Sequence, residues 1–187
     1  MKKTIITIGG LPGSGKSTIA DNVANELSWG RFSSGDFTRE IAHERGITLS
    51  KLLEQAEDNP EIDRAIDAKN RNLVNAEDIV IDSRLAFHFI PDSFTVYLVV
   101  SLDEGARRIH EDNRETRLKS GENLSEIEET KNQMKERIAG EKRRYKKLYD
   151  VDHTDHGNYD LVINTTDKGI EEITKKVISM YKNWKKS

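Results

Sequence analysis

The stretch Gly10-Leu11-Pro12-Gly13-Ser14-Gly15-Lys16-Ser17-Thr18 concentrates more potential chemistry than any other in this sequence. From Gly10 to Ser17 it fits G-x-x-x-x-G-K-[ST], with a β-branched run (Ile5, Ile6, Ile8) before it and a helical pattern after it. Glycines at these positions let the backbone curl until successive N–H groups point into one concavity. The start of the following helix adds the positive end of its dipole. Such a nest suits a polyphosphate. Lys16 is expected to reach the β- and γ-phosphates of ATP, and the Ser17 hydroxyl to sit on Mg²⁺.

A phosphate loop serves kinases, GTPases, ATP-driven motors and sulfotransferases alike. The D-x-x-G and N-K-x-D pairs of a GTPase switch are absent here, and the strand ending at Asp82 carries a single carboxylate, followed by Ser83 and Arg84. What remains favours a small phosphotransferase. Transfer to an acceptor that already bears phosphate brings two polyanions together, and fixed cations must offset their repulsion. Arg39, in Ser33-Ser34-Gly35-Asp36-Phe37-Thr38-Arg39, and Arg84, directly after the Ile79–Asp82 run, are placed to clamp an acceptor phosphate. Arg137, Glu141 and Arg144 follow at steps of four and three, which puts them on one helix face. Arg114 and Arg117 stand in the charged stretch before that helix. Arginines on a lid would close over the donor phosphates and stabilise charge on the transferred group. The same spacing equally describes a solvated helix with intrahelical ion pairs. Asp82 is a candidate to orient a metal-bound water or to aim Arg84, and equally to end its strand. No catalytic base is demanded, because positioning and charge neutralisation supply most of the catalysis in phosphoryl transfer.

The elements that must position these groups can be read from periodicity. Ile19, Val23 and Leu27 give the helix after the loop one apolar stripe, with Gly30 as its stop. Arg31–Ser34 reads as a short strand. Asp36–Arg45, Ser50–Asp58 and Glu61–Asn75 read as three short helices, with Ser50 as an N-cap. Strand character returns at Asp78–Asp82, Phe94–Val100 and Tyr159–Asn164. A helix is expected over Asp103–Asn113, a loop over Arg114–Asn123, a long charged helix over Ser125–Tyr149, and a closing helix that carries Ile170, Ile173, Val177, Tyr181 and Trp184 at three- and four-residue steps. Strands alternating with helices predict a P-loop three-layer α/β/α domain on a parallel sheet of about five strands. Ligands in such a domain lie beyond the carboxyl ends of the strands.

Composition narrows the class further. The 187 residues are 35% hydrophobic and 34% charged, with a net charge of −3. That balance argues against a protein built to grip a nucleic-acid backbone. The absence of cysteine excludes disulfides, thiolate metal sites and cysteine nucleophiles. No apolar run approaches the ~20 residues of a membrane span. Asp152-His153-Thr154-Asp155-His156 has metal-ligand residue types, but it is rich in turn formers and reads as a solvated loop. The expectation is a cytoplasmic monomer acting on small-molecule nucleotides, with neither a nucleic-acid nor a membrane partner.

Several segments resemble the nucleoside monophosphate kinases, most closely the cytidylate kinases of the short, archaeal-like type. They are Ile5–Thr18, Ser33–Ala42 (SSGDFTREIA), Asn59–Asp67 (NPEIDRAID), Ile81–Ala86 (IDSRLA), Glu129–Tyr149 and Tyr159–Thr165 (YDLVINT), in the right order over nearly the whole chain. The resemblance implies a core of residues 1–34, 76–113 and 146–187, a monophosphate-binding insertion at 35–75 and a lid region at 114–145. It implies that Gly10 to Thr18 bind ATP, with Ser17 on Mg²⁺. Asp36, Arg39, Asp63, Asp82 and Arg84 would face the acceptor, and Lys16, Arg84, Arg137 and Arg144 would serve transfer. The implied activity is ATP-dependent phosphorylation of CMP and dCMP. Where the family usually has glycine before the strand-end arginine, this chain has Ser83, which leaves the acceptor's base open. Another small-molecule kinase of the same fold, with AMP or UMP as acceptor for example, is one alternative. A P-loop ATPase acting as an RNA-processing or assembly factor is another.

Overall fold

The residues Ile5–Gly10 form β1, and each of them is buried, as a strand covered on both faces requires. The structure, a computed structural model, describes residues 3–120 and 127–187, with side chains excepted at residues 50 and 112–120. The other strands are β2 (Gly30–Ser33), β3 (Ile79–Asp82), β4 (Phe94–Val99) and β5 (Leu161–Asn164). They make one five-stranded sheet in the order β2-β3-β1-β4-β5. Every neighbouring pair is parallel. All carboxyl ends therefore lie on one edge, with β1 in the middle. The helices in chain order are α1 (Lys16–Leu27), α2 (Ser34–Glu44), α3 (Leu49–Asp58), α4 (Pro60–Asn72), the single-turn α5 (Ala86–Phe89), α6 (Leu102–Ser120), α7 (Ile127–Tyr149) and α8 (Ile170–Lys186).

The main core lies between the sheet and α1 and α8. Ile6, Ile8, Val96 and Leu98 meet Ile19, Val23, Val177 and Tyr181 there. The aromatic end of α8 completes it, with the Trp184 and Phe94 ring centres 5.6 Å apart. A smaller cluster on the opposite face joins Ile5 and Ile81 to Ala86 and Ile90. Helices α2 to α4 bury a cluster of their own, Ala42, Leu52, Ala56 and Ile62. The Ser34 hydroxyl donates to Asn70 Oδ1 at 3.0 Å and ties α2 to α4. Among the described residues no helix is long and apolar enough to cross a membrane.

Local chemistry moves several expected boundaries. Helix α1 ends at Ser28 in the left-handed region (φ 56°), and Gly30 starts β2 instead of stopping the helix. Thr48 caps α3, its hydroxyl oxygen accepting from the Lys51 N–H at 3.2 Å. Asn59 caps α4 through the Glu61 N–H at 3.1 Å, with Pro60 at the first helical position, where its missing N–H costs nothing. The expected loop after residue 113 is helical as far as Ser120, because α6 continues. The rest of that loop and the start expected for α7 lie outside the described residues, as do the side chains of Arg114 and Arg117.

Gly10 ends β1 at φ 146°, and a Cβ there would run into the Leu98 backbone carbonyl of β4. Gly10→Ala is therefore expected to lower unfolding free energy by about 2–4 kcal/mol. Urea unfolding would measure it, and a change under about 0.5 kcal/mol would contradict this close-approach account.

Candidate active site

The loop after β1 is built largely by its own backbone. The Leu11 N–H donates to Leu98 O at 3.1 Å and the Ser14 N–H to Leu11 O at 3.2 Å. Gly13 sits at φ 72°, and a Cβ there would strike the backbone of Gly105 on α6. Gly105 in turn lies where its own Cβ would meet Val100 and Pro12 O at 3.1 and 3.2 Å. The two glycines thus let α6 press on the crest of the loop. Arg108, one turn further along α6, donates to Thr165 O at 2.8 Å and Thr166 O at 3.2 Å, and ties this side to the end of β5.

Lys16 folds back over the loop, its Nζ donating to Leu11 O at 2.9 Å. Desolvation pushes its pKa down to about 7, Arg84 and Arg137 push the same way, and Asp82 and Glu141 resist. Ser17 donates to Asp82 Oδ2 at 2.6 Å, which places a hydroxyl and a carboxylate side by side below the loop. Thr18 is exposed on the first turn of α1.

Opposite the loop, β3 delivers Asp82, Ser83 and Arg84. Asp82 is buried, with Ser33 Oγ 3.5 Å and Arg31 Nη2 3.7 Å from its Oδ2. The Ser83 hydroxyl accepts, at 3.4 Å, from the Leu85 N–H. Arg84 turns toward α7, where its Nε lies 2.7 Å from Glu141 Oε2. Arg137 Nε donates to the other oxygen, Glu141 Oε1, at 3.0 Å. Burial alone would raise the Glu141 pKa, but Arg84 and Arg137 more than offset it and hold the carboxyl below its usual range. Arg137 is pulled below its ordinary value, first by the charge of Arg84 and then by burial.

Arg144 faces the inserted helices. Its Nε donates to Asp63 Oδ2 at 2.9 Å and its Nη1 to Glu57 Oε1 at 3.0 Å. Burial drives the Asp63 pKa upward, and the Arg144 guanidinium only partly counters it. One turn on in each helix, the Tyr149 hydroxyl donates to Asp67 at 2.7 Å. Burial lifts the pKa of Asp67 to about 6. Asp36 pairs with Arg39, and with Arg31 at 2.9 Å.

Two spaces meet at these residues. A cleft of about 680 Å³ runs over Pro12 between α3, α6 and α7, lined by Leu53, Ile109, Met134, Arg137 and Arg144 among others. Beside it lies a pocket of about 50 Å³, walled in part by Thr38, Arg39, Asp63, Asp67, Ser83 and Arg84. Arg137 and Arg144 border both.

The structure thus brings the expected Lys16, Ser17, Asp82, Arg84 and Arg137 to one sheet edge. Arg39, Asp63 and Arg144 gather at the adjoining pocket. Asp36 stays outside the pocket wall and acts on the two arginines. Sequence reasoning did not find Asp67, Arg31, Arg108 or the central place of Glu141. Spacing put Glu141 on the arginine face, but only the approach of β3 to α7 makes it the partner of Arg84.

Residues 5–167 match the model of the cytidylate kinase-like family. The chain belongs to that family. It is 35% identical over 188 residues to the cytidylate kinase of Methanocaldococcus jannaschii, with 97% of this chain and 99% of that one covered. It is also 36% identical over 181 residues to an S-adenosylmethionine-dependent nucleotide dehydratase of Lacinutrix mariniflava. That match takes in 96% of this chain but only 36% of the longer relative, so the chain spans about a third of that protein's length. Among solved structures, a shikimate kinase from Bacteroides thetaiotaomicron superposes with a TM-score of 0.64 at 16% identity, covering 95% of this chain and 97% of that one. The chain therefore has the fold of the P-loop kinases, as its alternating strands and helices lead one to expect.

The Lys16 environment makes a linkage prediction. Below about pH 7 the amine is charged and above it largely neutral in the ligand-free protein, and a triphosphate bound beside it would restore the proton. Binding of ATP at pH 8 should take up on the order of one proton, and uptake should shrink toward pH 6. Calorimetry in two buffers of different ionisation enthalpy measures this. The uptake should vanish in Lys16→Met, and its absence from the unaltered protein at pH 8 would contradict the assignment.

Proposed function

We propose that this chain transfers the γ-phosphoryl group of ATP to the phosphate of CMP, with dCMP as a second acceptor. The observation that carries the reading is a phosphate loop whose Lys16 feels the charges of both Arg84 and Arg137, the two arginines being held on one carboxylate, in a chain that aligns over 97% of its length with a cytidylate kinase. In this reading the amides of Gly10 to Thr18 and Lys16 hold the donor's phosphates. Arg39 and Arg84 take the acceptor phosphate. Arg137 reaches between the two and neutralises charge on the transferred group. Arg144 acts on the acceptor side, where it fixes Asp63 and Glu57. Its place there, against α3 and α4, supports an acceptor role over the donor-lid role expected from its helix.

The oxygens of Ser17 and Asp82 suit a hard divalent cation. Mg²⁺ would be held by these two residues and by the donor's phosphates, and when bound it supplies charge neutralisation. The Ser17 hydroxyl donates its proton to Asp82 and would keep its oxygen lone pairs for the cation.

Residues 35–75 form the monophosphate-binding insertion in this proposal, and their separate core supports that division. Residues 114–145 form the lid region. A space of about 50 Å³ holds a water or two and no nucleotide. The acceptor would therefore need the pocket to widen toward the adjoining cleft of about 680 Å³, which shares Arg137 and Arg144 with it. The carboxyl groups of Asp63 and Asp67 on the pocket wall favour a base that presents an amino group, as cytosine does and uracil does not.

ADP formation from ATP–Mg²⁺, with CMP, dCMP, UMP, AMP and GMP offered separately, tests the function. CMP and dCMP should stimulate it most. Turnover that ignores every monophosphate but rises with RNA or a protein partner would replace this reading with that of a P-loop ATPase. Arg84→Ala should raise the KM for CMP at least about tenfold and leave that for ATP within about twofold. Lys16→Ala should lower kcat by about a hundredfold or more.

A further inference from the structure

His153 has no place in the chemistry described so far, and its position is unlike the solvated loop expected for Asp152–His156. Its side chain is 2% exposed. A tight local turn drives it inward. Asp152 Oδ1 accepts from the Thr154 N–H at 2.9 Å and from the Thr154 hydroxyl at 2.7 Å. The second Asp152 oxygen pairs with Lys142 at 2.9 Å. The His153 carbonyl accepts from the Tyr159 hydroxyl at 2.7 Å. The imidazole packs edge-on against Tyr145, with ring centres 5.1 Å apart. Its Nε2 then lies 3.7 Å from Glu141 Oε2.

The ring is neutral at physiological pH. Burial brings its pKa down to about 4; Glu141 and Asp152 pull upward, and Arg84 and Lys142 push down. A neutral imidazole has one N–H to give, and it adds no charge to compete with Arg84 and Arg137 for the single carboxylate. At 3.7 Å the approach is polar but is not yet a hydrogen bond. Glu141 Oε2, Arg84 Nε and His153 Nδ1 are each buried without a hydrogen bond among the described residues. The Arg84–Glu141 ion pair is close but off the hydrogen-bond angle, which leaves Glu141 Oε2 without a hydrogen bond between Arg84 and His153.

We propose that His153 is a positioning residue for the acceptor clamp, its Nε2–H set behind Glu141 by the Asp152 turn and the Tyr145 ring, so that the carboxylate stays turned toward Arg84 and Arg137. This rests on the acceptor-clamp reading above. His153 touches neither nucleotide; it acts through Glu141. Without its N–H the polar approach behind the carboxylate is lost, Glu141 is held less firmly between the two guanidiniums, and their aim at the acceptor phosphate relaxes.

His153→Phe keeps a ring against Tyr145 and removes the N–H, and His153→Gln returns an N–H donor. His153→Phe should raise both the KM and the calorimetric Kd for CMP about tenfold, with the KM for ATP within about twofold and the melting temperature near that of the unaltered protein. His153→Gln should recover most of the loss. In a Glu141→Gln background His153→Phe should add less than about twofold, because the group it acts through is already altered. If the phenylalanine variant fails to fold, His153→Leu against His153→Gln gives the same comparison. Unchanged CMP constants in the phenylalanine variant overturn this inference alone, as do parallel losses of ATP and CMP use or full additivity with Glu141→Gln. An unaltered protein that neither binds nor phosphorylates CMP overturns the acceptor reading, and this inference with it.

Discussion

Three basic side chains, Lys16, Arg84 and Arg137, converge on the carboxyl edge of the sheet, and a buried carboxylate, Glu141, stands between the two arginines. Buried charges of one sign repel strongly, and a buried ion left unpaired is costlier still. Glu141 resolves both problems by giving one oxygen to each guanidinium. The consequence is a pair of charged guanidiniums held together beside the phosphate loop. In the proposed reaction two polyanions would meet cations already in place.

The remaining architecture serves that arrangement. Strand β1 carries the loop from the centre of the sheet, β3 carries Asp82 and Arg84 beside it, and α7 supplies Glu141 and Arg137 from above. The same helix also reaches α3 and α4 through Arg144 and Tyr149, so one long element is shared by the pocket beside Arg84 and the cleft over the loop. A shift of α7 would be felt in both places. This coupling needs no chain of intermediates, because Arg137, Glu141 and Arg144 lie within two turns of a single helix.

The backbone of the loop depends on close approach as much as on hydrogen bonds. Gly10 and Gly13 accept φ values that side chains resist, and each lies against another backbone, at Leu98 and at Gly105. Gly105 has no phosphate-loop motif to announce it. Its reason is the contact that α6 makes with the loop crest, and that reason exists only once the chain has folded.

How much was legible follows from the range of the forces involved. The phosphate loop, the strand runs, the apolar stripe of α8 from Ile173 onward (Ile170, at the helix start, is exposed) and the helices between β2 and β3 are local in sequence, written as spacing and residue type, and they were readable in advance. Boundaries set by caps were less so, since Thr48 and Ser50 offer the same hydroxyl and Ser28 outdid a nearby glycine. The partners of the charged side chains were not readable at all. Whether Arg144 meets a donor phosphate or Asp63, whether Glu141 is surface or centre, and whether His153 is solvated or sealed depend on contacts between residues tens of positions apart. Periodicity decides which face of a helix a side chain occupies; the packing of that face against another element decides what the side chain meets.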